Sequence, residues 1–120
     1  MADLTSSNTA FNSAVEFTLN DAEASQTVDM SDAADEGAVI IVENANTDAA
    51  QTATITVSKG EFDSAVLGDL VATVAYGEAA VIGPLEGVRF KNSVSKITIG
   101  AAVTGSGTLS NVKLAVVKLP

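Results

Sequence analysis

The chain has 120 residues and a formal net charge of −9; its residues are 47% hydrophobic, with four Phe, one Tyr and no Trp. That length suits one domain around one core, and a small aliphatic core suits thin packed sheets. Having no Cys and no His, the chain lacks disulfides, the usual zinc, copper and non-haem iron ligand sets, and Ser-His or Cys-His nucleophile pairs.

Residues 1–14 are polar and rich in Ser, Thr and Asn, and read as an arm or a first edge strand. VEFTL (15–19) alternates, with Val15, Phe17 and Leu19 on one face, and reads as a strand. NDAEASQ is a turn, QTVDM (26–30) a short strand, and SDAADEG (31–37) an acidic loop or one helical turn closed by Gly37. AVIIVEN (38–44) is the strongest strand signal, and its apolar run predicts burial on both faces or a central position. NANTDAAQ (44–51) is a loop. In TATITVSKG (52–60), Ala53, Ile55 and Val57 point one way and the Thr residues the other, the pattern of a half-buried strand with a hydroxyl-lined face. EFDSAVLGD (61–69) is a loop or a short helical turn. Strands are then expected at LVATVAYG (70–77), AAVIGP (79–84), GVRFK (87–91), KITIGAAV (96–103) and NVKLAVVKLP (111–120). Tyr76 is expected to be half-buried packing at a strand end.

Short strands with turn signals every 8 to 12 residues, and no apolar period near 3.6, predict an all-β fold. The architecture expected is an antiparallel β-sandwich or a barrel; of the two, a sandwich of about eight strands is favoured, with the jelly roll as one form it can take. It spans 15–120 as a single domain behind the 1–14 arm.

Charge is divided unevenly. Before Lys59 there are ten acids and no base; from Lys59 onward six bases face five acids. An acidic half repels nucleic acid and anionic lipid, so neither nucleic acid nor membrane is an expected partner. It serves solubility or meets a basic partner surface. No apolar run approaches the ~18 residues of a membrane span. The start, MADLTSSNTAF, has neither the basic nor the apolar region of a signal peptide, so synthesis and folding in a cytoplasm are expected.

VIGPLEGVRF (81–90) holds two glycines, a proline and the chain's sole arginine. Pro84 fixes φ and lacks an N–H, and Gly83 and Gly87 permit the values of a corner, so the stretch reads as a turn between strands. Arg89 and Lys91 would then form an exposed basic pair beside Glu86, able to meet an acidic patch on a neighbouring subunit. In DMSDAADE (29–36), Asp29, Asp32, Asp35 and Glu36 are clustered, but the spacing of a calcium loop is absent and no metal is expected there. A glycoside-hydrolase pair is weakly supported without Trp to build sugar subsites. TGSGT (104–108) lacks the Lys of a phosphate loop and reads as a hairpin connection. The candidate subunit contacts are therefore Glu86, Arg89, Lys91, Asp32 and Asp35, and neither a catalytic residue nor a cofactor site is expected.

AVIIVENANTDAAQ, TATITVSKG, LVATVAYGEAAVIGPLEGVRF and the terminal NVKLAVVKLP, in this order, resemble small virion proteins of tailed bacteriophages, of the head-decoration type. The likeness covers roughly residues 37–120, and its most specific part is VIGPLEGVRFK followed by KITI. The resemblance implies a β-sandwich present in many copies that cements a capsid. The expected partners are the major capsid protein and further copies of the chain, a trimer being favoured, and the expected location is the capsid surface of the virion. A tail, neck or fibre component, a carbohydrate- or cell-surface-binding module, and a carboxylate-based hydrolase are the competing expectations.

Overall fold

A computed structural model describes residues 2–4, 6–9, 14–31, 37–60 and 68–119. Their strands are β1 (Ala2–Leu4), β2 (Ser6–Asn8), β3 (Asn20–Asp21), β4 (Gln26–Asp29), β5 (Ala38–Asn44), β6 (Ala53–Val57), β7 (Leu70–Val74), β8 (Ala79–Leu85), β9 (Lys96–Val103) and β10 (Val112–Lys118). One helical turn, Gly87–Phe90, and a 3-10 turn, Leu109–Asn111, complete them.

Two sheets pack face to face. The first has the order β1-β4-β9-β6-β7, and the second β2-β10-β5-β8 with β3 also on β10. Pairing is antiparallel except where β1 joins β4 and β2 joins β10. The fold is thus an all-β sandwich, as expected. Seven strands have four or more residues, and the other three are short edge pieces.

Period-two patterning builds the core. In β6, Ala53, Ile55 and Val57 are buried between half-buried Thr54 and Thr56. In β9, Ile97, Ile99 and Ala101 do the same. Opposite them lie Ile40 and Val42 of β5 and Val112, Leu114 and Val116 of β10. Each of these larger aliphatic side chains stabilises the fold by roughly 1.5–3 kcal/mol on burial. β5 is central, between β10 and β8, and alternates buried positions with half-buried Val39 and Ile41 and exposed Glu43. β10 is covered on both faces: Ala115 and Val117, which point away from the core residues, are buried too.

Several expectations fail. VEFTL forms no strand; residues 14–19 are all exposed. GVRFK is not a strand either, because Gly87–Phe90 closes a helical turn with Lys91 N–H donating to Gly87 O. That turn buries Phe90, which a β-strand would also have done by alternation, so the pattern alone was ambiguous. TGSGT does not close a hairpin: it carries the chain from β9 in one sheet towards β10 in the other. Tyr76 is exposed, in the turn between β7 and β8. Of the polar stretch expected as an arm or a first edge strand, residues 2–4 and 6–8 do form edge strands, one in each sheet.

Candidate interaction surface

The corner at 83–91 is built from backbone constraints. Gly83 has φ +118, and a Cβ there would stand 2.9 Å from Ala38 O. The Gly83–Pro84 bond is cis. The chain then turns through Glu86, whose carbonyl accepts from Arg89 and Phe90 N–H. Gly60 packs under this turn so closely that a Cβ would sit 2.1 Å from Lys91 O.

Arg89 reaches across this corner to residues 68–69. Its Nε donates to Gly68 O at 3.2 Å, its Nη2 reaches Asp69 O at 3.5 Å, and its guanidinium lies 4.8 Å from the Phe90 ring centroid. Lys59 N–H donates to the Asp69 carboxylate at 2.7 Å. Arg89 therefore ties 87–90 to 68–69, and both Arg89 and Lys91 are half-buried, not the exposed pair expected. Glu86 is exposed. Asp32 and Asp35 lie outside the described residues. Nearby, Asp29 accepts from Ser31 N–H at 2.9 Å. Hydrogen bonding from the Ser31 backbone and side chain holds its carboxyl below the usual range, with Lys118 and Lys96 adding a smaller pull.

A polar node that the sequence did not signal closes one end of the sandwich. Asn44 is fully buried and Asn46 nearly so. Asn44 Nδ2 donates to Gln51 O and Val74 O at 2.9 and 3.0 Å, and its Oδ1 accepts from Asn46 Nδ2 at 2.9 Å. Asn46 Oδ1 accepts from Thr108 N–H and Asn111 Nδ2. The two side chains thus bolt the β5–β6 loop to the end of β7 and to the β9–β10 connection. "EN" at a strand end followed by a second Asn two residues on was the available hint. The partners lie up to 65 residues away and were not visible.

Beyond the core, the molecule presents faces and edges. On the outer face of the first sheet, register sets Ala102 beside Thr54 beside Thr73, and Gly100 beside Thr56 beside Val71. Thr98 continues the row, and Lys96 and Asp29 mark its end. Among the described residues the β6–β7 half of this face carries no charge; charged positions enter at the β1–β4 end, where Asp3 is in register with Thr27 and Thr98, and Asp29 with Lys96. Among them, too, no group of three or more acidic side chains is arranged to hold a metal. No described helix is long and apolar enough to cross a membrane. Compared with known proteins, the chain matches no family model, no curated protein and no solved structure.

Proposed function

We propose that this chain is a structural virion protein that decorates a phage capsid and stabilises it by bridging neighbouring capsid subunits, acting as a homo-oligomer. The observation that carries the reading is the uncharged β6–β7 half of the outer face, with Thr54, Thr56, Thr73, Gly100, Ala102 and Val71, on a chain of net charge −9. A strand face open to water ordinarily carries Lys and Glu. Here small side chains and hydroxyls leave a surface that loses little on desolvation and adds hydrogen bonds to a neighbour. The molecule is also a slab, 37 × 36 × 22 Å, which suits broad contact better than enclosing a ligand. Each contact is modest, and repetition over a lattice multiplies it. The resemblance of 37–120 to decoration proteins points the same way.

Quantitative mass spectrometry of purified particles tests this. Hundreds of copies per particle, in a simple ratio to the major capsid protein, are expected. A few dozen copies would move the chain to the tail, neck or fibre, and absence would overturn the virion reading. Thr56→Glu, on the uncharged face, is expected to abolish capture by particles while leaving the circular dichroism spectrum unchanged.

A further inference from the structure

Two features of the chain complement each other without meeting in one molecule. The first is the segment 14–19, AVEFTL. All six residues are exposed, with Val15 39%, Phe17 44% and Leu19 36% accessible. Among the described residues, no backbone–backbone hydrogen bond engages them. The segment alternates apolar with polar residues, as a strand with one buried face does.

The second feature is the edge of β8, beside which no strand lies among the described residues. Asn44 N–H donates to Glu78 O, and Gly77 N–H to Asn44 O, so alternate residues of β5 aim their backbone groups at β8. Val42 and Ile40 follow the same alternation and face Ala80 and Ile82. Ala79 and Val81 therefore direct their backbone groups away from the sheet, up to the register shift that follows Ile82. Val81 is 66% exposed. The margin beside it is thinly covered, since Ala80 of β8 and Leu70 and Ala72 of β7 are only partly buried against the core.

We infer that residues 15–19 of one copy add as a strand to this edge of β8 in a second copy. This inference deepens the proposed homo-oligomer. Three observations select a second copy as the occupant. Donor and acceptor both belong to this chain, and a five-residue donor fits the seven-residue β8. Charge also permits it: β8 has no charged residue and 14–19 only Glu16, so two molecules of net charge −9 meet there with little repulsion. Finally, the donor cannot reach its own β8. Thr9 is bonded to Lys118 O and Asn20 pairs with Leu114, so both ends of the 10–19 connection are held at the β10 margin. From there the vacant position beyond β8 is four strand spacings away, ~19 Å. Val15 is only five residues from Asn20 and extends at most ~18 Å from it, so no residue of 15–19 reaches that position. Addition between copies places the donor on one margin and the acceptor on the other. That geometry is head-to-tail and closes into a ring or runs on as a filament. Val15, Phe17 and Leu19 would cover Ala80 and Ala72, and Glu16 and Thr18 would face water.

The test uses the purified full chain, with mass measured by light scattering after size exclusion up to about 1 mM, the weak end of specific association. The wild type is expected to gain mass with concentration, and 14–19 and 79–83 to become protected together in hydrogen exchange. Phe17→Asp removes the donor and Val81→Pro the acceptor N–H, which does not bond to β5. Val81→Lys is the alternative if the proline variant fails to fold. Each variant alone is expected to stay monomeric, and an equimolar mixture of the two to form a heterodimer and nothing larger. A monomeric wild type at every concentration, or variants that assemble as the wild type does, would overturn the inference. Absence of the chain from particles would remove the decoration reading while leaving this association intact, so the two can fail separately.

Discussion

The two margins of the sandwich are treated differently. At the β10 margin, β2 covers Val116–Lys118 and β3 covers Lys113 and Leu114. Thr9 and Ala22 add N–H bonds to Lys118 O and Val112 O. Although β10 is next to the end of its sheet, its residues are nearly all buried, including Lys118 at 6% exposure. At the other margin, β7 and β8 end their sheets with no strand beside them among the described residues. Val71 and Val81 there are 59% and 66% exposed. Pieces of two or three residues are enough to close an edge, while strands of five and seven residues can be left open. Strand length therefore says little about which edge is finished. An unfinished edge is either protected against chance pairing or kept for a partner.

The comparison is broken most severely by truncation at the closed margin. Leu114→Ala in β10 is expected to cost about 3–4 kcal/mol, read from the midpoint of urea unfolding, because the site is enclosed by both sheets. Val81→Ala at the open margin should change stability by no more than about 0.5 kcal/mol. If the two costs were similar, the contrast between the margins would be wrong. Next comes Asn44→Ala, expected to cost about 2–3 kcal/mol, since it leaves Val74 O and Gln51 O without their buried donor at the end of β7. Smaller still is Lys113→Ala. It removes the Lys113–Asp21 ion pair that fastens β3 to β10, and it should cost at most about 1 kcal/mol, an effect that fades with added salt. Asp29→Asn tests the smallest effect. Hydrogen bonding from Ser31 lowers the Asp29 pKa in the folded chain, so its contribution is present at neutral pH and lost as pH falls through that lowered value. The wild-type advantage over Asp29→Asn should therefore shrink only below pH about 4 and vanish in stronger acid.

Much of the fold was legible because the core strands obey a local rule. Ala53-Thr54-Ile55-Thr56-Val57 and Ile97-Thr98-Ile99 state their own inside and outside, and both are strands with those faces. The rule misled at Val15-Glu16-Phe17-Thr18-Leu19, where the same alternation is present and no strand forms. Alternation describes what a strand would bury; it does not supply the neighbour whose backbone groups make it a strand. At Gly87–Phe90 the failure has a different cause. Gly60 approaches to within van der Waals limits, and a compact helical turn fits above it, with Arg89 bonding across to Gly68 and Asp69. The polar node at Asn44 and Asn46 was hidden for a related reason. Asn at a strand end commonly means a solvated turn, and only partners from three distant segments make burial tolerable.

The sequence by itself determined the class of this protein: an aliphatic, all-β core without His or Cys, strands whose inward residues are marked by period two, and a surplus of acid before Lys59. Tertiary structure alone decided which strands became neighbours, which margin closed, that Arg89 bonded across to residues 68–69, and that AVEFTL stayed unpaired beside a sandwich whose β8 edge has no neighbour among the described residues. The division follows from the physics of sheets. Side-chain burial repeats along the strand and is written locally. Backbone hydrogen bonds are made with segments tens of residues away, and every strand offers the same donors and acceptors, so the choice of partner appears only when the whole chain is packed.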